Sequence, residues 1–184
     1  AGIAASEIDG DSFAHLQAGD ETTADFIRIR DQLHRVKGAS PDVNFIYTMR
    51  KNGDVVEFVV DGDYGYTPDA AVIGERYPEA QPELLAGFFA PAADKEFNTD
   101  QWGTVLSGYS PIRDRTGSIV GIVGVDMDSS VVMAKLDRIN LILYLVGLIA
   151  MFFIGLGIIV VERRRVLDER NLEESEKKYR LLFE

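Results

Sequence analysis

Residues Leu141 to Val161, LILYLVGLIAMFFIGLGIIVV, carry no charged side chain. At about 1.5 Å per residue, a helix over this run reaches about 30 Å, the thickness of a bilayer's hydrocarbon core. Glu162 and then Arg163, Arg164 and Arg165 follow at once. Arginines abutting a span mark its cytoplasmic end, so residues before Leu141 are expected outside the cytoplasm and those after Val161 inside. A chain with an outer part, one crossing and an inner stub is suited to passing information or to anchoring.

The part before the span is long enough for one domain and short for two. The chain's net charge of −11 lies there, because the stretch from Glu162 onward balances its acids and bases. An acidic outer face disfavours nucleic acid and anionic lipid headgroups as partners. There is no cysteine, which removes disulfides, thiolate metal sites and thiol nucleophiles. Ala1 opens without an initiator Met or a basic n-region, so export is expected to depend on an upstream segment, most simply an earlier membrane helix.

Along the chain, residues 1–18 read as helical, weakened at Gly10 and at Gly19-Asp20. A stronger helix follows. Thr22 is its expected cap, Asp25 stands three residues on, and Phe26, Ile29, Leu33 and Val36 recur at helical spacing until Gly38 and Pro41 end it. The period then changes. Asn44–Arg50 and Val55–Asp61 are β-rich and joined through Asn52-Gly53, a strong hairpin signal. Val105–Arg113 and Ser118–Met127 form a second pair around Asp114-Arg115-Thr116-Gly117. Between the hairpins lies a long insert, Gly62 to Gly103, rich in proline and aromatics, with a short helix expected over Pro82–Phe89. A connection of that length inside a compact domain is usually functional. Beyond the span, Arg163 to Lys178 is charged and free of Gly and Pro, and reads as a continuing helix.

The segments Leu106-Ser107-Gly108-Tyr109-Ser110-Pro111-Ile112-Arg113-Asp114 and Gly117-Ser118-Ile119-Val120-Gly121-Ile122-Val123-Gly124-Val125-Asp126-Met127 resemble the closing strands of extracytoplasmic Cache (PDC) sensor domains. Glu174 to Glu184, ESEKKYRLLFE, resembles the opening of a cytoplasmic PAS domain. The resemblance implies an α+β fold, with N-terminal helices packed on a PAS-like antiparallel β-sheet and one transmembrane helix after it. It implies three parts: a sensor domain over 1–138, a transmembrane helix over 139–161, and a cytoplasmic helical linker with the start of a PAS domain over 162–184. Together the motifs are similar to prokaryotic membrane sensors, most often histidine kinases of two-component systems, which usually work as homodimers. The Arg-x-Trp-Tyr core of amino-acid-binding double Cache receptors is absent, so no ligand class is carried over.

In such a fold the ligand lies between one sheet face and the insert. Period-two alternation puts Phe45, Tyr47 and Met49 on one face and Ile46, Thr48 and Arg50 on the other, and pairs Val59 with Asp61 on the next strand. Candidate ligand-binding residues are Tyr47, Arg50, Asp61, Tyr64, Trp102, Tyr109 and Asp126. Aromatic walls with carboxylates suit a small amine; Arg50 would suit a small carboxylate. The plainer alternative is that the aromatics pack the core and the acids face water. Asp61-Gly62-Asp63 with Asp69 lacks the spacing of a calcium loop and reads as a turn. His15 and His34 have no nucleophile or metal motif beside them. No catalytic residue, metal or cofactor is expected. The chain reads as the ligand-sensing part of a membrane receptor. A chemotaxis or cyclic-nucleotide output is the alternative to a kinase, and a tail-anchored ectoenzyme is the rival from another class.

Overall fold

A computed structural model describes residues 1–100 and 103–183. The chain falls into two units, Ala1–Met133 and Ala134–Glu184.

The first unit opens with three helices, α1 (Gly2–Glu7), α2 (Gly10–His15) and α3 (Ala24–Ala39). Residues 1–18 do not form one helix, and the break falls at Ile8-Asp9. The Asp9 carboxylate accepts the N–H groups of Asp11 and Ser12 and so starts α2 afresh. Gly10 sits just inside that start because a Cβ there would lie 2.2 Å from the Arg113 carbonyl oxygen. The cap of α3 is Thr23 rather than Thr22, its hydroxyl accepting the Phe26 N–H. Helix α3 runs through Gly38 and stops one residue later.

The strands are β1 (Phe45–Asn52) and β2 (Val55–Asp61), followed by α4 (Pro82–Gly87) and then β3 (Ala92–Ala93), β4 (Asn98–Asp100), β5 (Gly103–Arg113) and β6 (Ile119–Asp128). Among the described residues they make one antiparallel sheet in the order β2-β1-β6-β5-β3, with β4 also pairing β5. This is the expected α+β class. The first hairpin turns at Gly53-Asp54, one residue later than Asn-Gly implies, because Asn52 still pairs with Val55. Only Gly53 has positive φ there, +63°, the arrangement with glycine first in the loop. In the second hairpin the Asp114 carboxylate accepts the N–H groups of Thr116 and Ser118.

The insert is more regular than its composition implies. Its residues near 74–77 run beside β2, with Phe58 N–H donating to the Glu75 carbonyl and Tyr77 N–H to that of Val56. Its last third supplies β3 and β4 to the sheet edge.

Alternation along the strands gives two apolar layers. On one face α1–α3 bury Phe13, Phe26, Ile29 and Leu33 against Ile46, Val59, Val60, Ile112 and Val123. On the other, the insert covers Tyr47, Met49, Phe58, Tyr109 and Ile122 with Ala71, Leu84 and Phe88. Each fully buried large side chain of this kind contributes about 1.5–3 kcal/mol. The expected pairing of Val59 with Asp61 fails at a bulge. Thr48 pairs with Val60 but Met49 with Phe58, which leaves Val59 as the extra residue. The buried Thr48 hydroxyl holds the bulge, accepting the Val60 N–H at 2.8 Å and donating to the Val60 carbonyl. Val59 and Val60 therefore both join the helix-side layer, while Phe58 and Asp61 come to the insert side.

The chain continues from β6 into α5 (Ser129–Phe183, 55 residues). The Asp128 carboxylate accepts the Ser130 N–H at its start. Residues Ser129–Leu172 hold a stretch long and apolar enough to cross a membrane, with a hydropathy of 2.7.

Candidate functional site

On the insert side of the sheet lies a cavity. Phe45 and Tyr47 of β1, Phe58 and Asp61 of β2 and Asp126 of β6 form its floor, and Asp63, Thr67, Asp69, Ala70 and Tyr77 of the insert close over them. The cavity is small, about 30 Å³, and opens to solvent. Space of this size takes a group of only a few heavy atoms.

Three rings form a continuous edge-to-face wall. Tyr47 and Phe58 have centroids 5.3 Å apart, and Phe58 and Tyr77 5.8 Å apart. Glycine makes the Tyr47 position available. Gly124 lies between Tyr47 and Tyr109 in one cross-strand row, and a Cβ on it would stand 2.3 Å from the Tyr47 ring. The Tyr47 hydroxyl then reaches diagonally to donate to Asp126 Oδ1 at 3.1 Å. Burial pushes the Tyr47 phenol well above its usual range, and the Asp126 charge pushes it further. Tyr47 is thus a fixed proton donor.

The carboxylates are held from several sides. Asp61 accepts the N–H groups of Asp63 at 2.8 Å and Ala71 at 2.9 Å, which ties the insert to the end of β2. Burial nevertheless raises the Asp61 carboxyl above the ordinary range, against the opposing pull of those two hydrogen bonds. Asp63 is 5% exposed and pairs with Lys37 of α3 at 2.5 Å. Among the described residues, no lysine or arginine lines the cavity. A group of three or more His, Cys, Asp or Glu placed to hold a metal ion does not occur among the described residues. The Asp61-Gly62-Asp63 segment is a turn, with Tyr64 N–H donating to the Asp61 carbonyl.

Of the residues singled out from the sequence, Tyr47, Asp61 and Asp126 line the cavity. Tyr109 lies in the same apolar layer, 5% exposed. Its phenol is held well above the usual range, by burial first and then by the charges of Asp94 and Asp126. Tyr64 goes to the opposite layer, its ring edge-on to Phe26 at 5.2 Å. The turn at Gly62 sends it there. The glycine passes so close to Ile46 and Leu33 that a Cβ would meet them at 2.9 and 3.2 Å. Arg50 also lies away from the cavity. It is bound to Glu57 at 2.6 Å and donates to the Leu16 carbonyl, joining β1 and β2 to the end of α2. Trp102 lies outside the described residues.

Sequence reading passed over Tyr77, Thr67 and Asp94. Tyr77 and Thr67 sit in irregular chain, where no periodicity assigns a face. Asp94 is 9% exposed. Its Oδ2 accepts the Ser107 N–H at 3.0 Å, while its Oδ1 is buried without a hydrogen-bond partner among the described residues.

No protein-family model matches the chain, and no curated protein matches it. Solved structures do. An extracellular ligand-binding receptor from Desulfohalobium retbaense aligns over 68% of this chain and 20% of its own, at 18% identity and a TM-score of 0.49. The sensory domain of the Campylobacter jejuni chemoreceptor Tlp3, solved with isoleucine bound, aligns over 66% and 48%, at 14% identity and a TM-score of 0.40. The PAS domain of Bordetella pertussis BvgS aligns over 62% and 97%, at 24% identity and a TM-score of 0.37. The chain spans from a fifth to about half the length of the two receptor chains. Its likenesses among solved structures include extracellular ligand-binding sensor domains and a PAS domain.

Proposed function

We propose that this chain is the ligand-sensing and membrane-spanning part of a signal-transduction receptor, and that its sensor domain takes a small cationic amine. The observation carrying the reading is the cavity itself, in which aromatic residues and four aspartates line one small space with no basic residue among the described lining residues. Ring faces attract a cation by about 0.5–2 kcal/mol each, and carboxylates add charge-assisted hydrogen bonds. A small carboxylate is disfavoured, since Arg50 is occupied by Glu57 and the Leu16 carbonyl.

The sensor domain comprises residues 1–138, the span 139–161 and the cytoplasmic linker 162–184. The arginines at 163–165 support the orientation with the sensor outside. The motif from Glu174 to Glu184 supports a PAS domain, and analogy with receptors of this layout extends the reading to a histidine-kinase output and a homodimer. No chemistry occurs in this part. Ligand binding shifts the weights of two conformations, and the chain leaving β6 carries the bias.

The test is thermal melting of the whole chain in nanodiscs against panels of small amines and carboxylates. An amine at 100 times its Kd adds about 2.7 kcal/mol of stability. Asp126→Asn should abolish that shift while the unliganded chain still melts cooperatively. A shift from carboxylates alone would refute the reading. For topology, protease added to intact cells should reach epitopes near Asp54 and not near Glu174; the opposite pattern would reverse the orientation.

A further inference from the structure

Lys37, in the last turn of α3, presents its ammonium to two residues of the cavity wall. Its Nζ pairs with Asp63 Oδ2 and stands 5.6 Å from the centre of the Phe45 ring. A carboxylate on one side and an aromatic ring on the other are the two contacts that the cavity offers an incoming cation. The chain therefore already supplies a cation of its own, delivered from the opposite layer of the fold. Around it, His34 Nδ1 lies 3.0 Å from the Gly62 carbonyl and 3.5 Å from Asp63 Oδ1. The His34 ring stacks on Tyr66 at 3.9 Å. The end of α3 is thus fastened to the Gly62–Tyr66 turn at several points, and that turn leads into the roof of the cavity. The Lys37 side chain is 27% exposed, so solvent is at hand to receive its ammonium once it leaves Asp63.

We infer that Lys37 is a tethered competitor held against the cavity wall: without lining the cavity itself, it competes with the ligand for Asp63 and Phe45, and its release from them reports binding to α3. This rests on the amine reading above and goes beyond it by assigning the competitor. A lysine serving only to hold the fold would stabilise the chain without lowering the affinity for cations. A tethered competitor lowers that affinity, because each binding event must displace it.

The probe is tetramethylammonium chloride, with sodium chloride at equal ionic strength as the control, applied to the full chain in nanodiscs. Lys37→Met keeps the stem and removes the charge; the Kd for tetramethylammonium should fall about tenfold, as expected when one neighbouring positive charge is removed. Lys37→Arg should bind within about twofold of the parent, since a cation is retained. A second measurement uses the unaltered chain. Acetylation of Lys37, followed by mass spectrometry, should speed up severalfold with tetramethylammonium, while the exposed Lys51 in the hairpin serves as the unchanged reference. Equal or weaker binding by Lys37→Met, or Lys37 acetylation that does not respond to the probe, would overturn the tethered-cation role and leave the amine reading standing. Absence of binding by both parent and Lys37→Met would overturn the amine reading and this inference with it.

Discussion

The two faces of the sheet are built from the same strands but do different work. On the helix side, Phe13, Phe26, Ile29, Leu33 and Val60 form an apolar cluster, and the Arg50–Glu57 pair beside it is closed on itself and on the Leu16 carbonyl. On the insert side, Tyr47, Phe58 and Tyr109 are equally buried, yet they share their layer with Asp61, Asp63 and Asp126 at the cavity. A helix face presents a continuous apolar stripe that can seal against a sheet. An irregular insert brings turns and backbone N–H groups, and these need polar partners when buried. The Asp61 carboxylate serves as such a partner for Asp63 and Ala71. On the proposed reading, recognition falls to the insert face while the helix face carries packing, and Lys37 links the two through Asp63.

The largest effect that would sharpen this comparison is on the helix side. Phe26→Ala should cost about 3–5 kcal/mol, because Phe26 is 1% exposed and leaves a cavity that α3 cannot close. Urea unfolding should show it, with the amine-induced shift retained as far as the variant remains folded. A loss of amine binding out of proportion to the lost stability would break the division of labour.

Next is Gly124→Ala. Its Cβ would stand 2.3 Å from the Tyr47 ring, and overpacking of this kind costs about 1–3 kcal/mol. Because Tyr47 must move, the variant should also lose most of its amine affinity. Calorimetric titration beside thermal melting separates the two effects.

Somewhat smaller is Tyr47→Phe. It removes the donor to Asp126 and keeps the ring, at about 1–2 kcal/mol of stability for a buried hydrogen bond. The edge-to-face wall survives, so amine affinity should fall less than in Gly124→Ala. The same titration tests that ranking.

The smallest effect is in pH. Burial raises the Asp61 carboxyl, so the folded chain holds that proton to higher pH than the unfolded chain does. Its contribution to the stability of the unliganded chain is therefore present below the unfolded carboxylate range and is lost as pH rises through the raised value. A bound cation favours the ionised form. The amine-induced rise in melting temperature should thus shrink as pH falls through that value, while the unliganded chain gains slightly from this group. Melting curves across that window, with and without amine, should diverge as pH rises; parallel curves would show that Asp61 does not face the cation.

Much of the fold was legible before any coordinates. Apolar spacing along α3, the two hairpin signals and the uncharged run at 141–161 are local patterns, and each reports a local element. In those elements the structure differs by single residues, at the Thr23 cap and the Gly53-Asp54 turn; the break at Ile8-Asp9 and the bulge in β2 are larger departures, set by the Asp9 cap and the Thr48 hydroxyl. The site was legible only in part. Tyr47 is legible because it lies on a regular strand whose faces follow from parity, and Asp126 because it is a carboxylate inside an apolar strand. Tyr64 and Arg50 were chosen by type and proximity in sequence, but the turn at Gly62 sends Tyr64 toward α3, and Glu57 across the hairpin binds Arg50.

By itself the sequence determined the order of helices and hairpins and a stretch apolar enough to cross a membrane, because these follow from residue periodicity and length; the α+β class is what its resemblance to sensor domains implies. Tertiary structure decided which aromatics share a space with which acids. Thr48 holds a bulge that moves Asp61 to the insert face, Gly124 opens the place for the Tyr47 ring, and Lys37 arrives from another layer to meet Asp63. The physical reason is range. Periodicity constrains neighbours along the chain, whereas a cavity is made by residues brought together across it, and a single bulge or a missing Cβ is enough to change which ones meet.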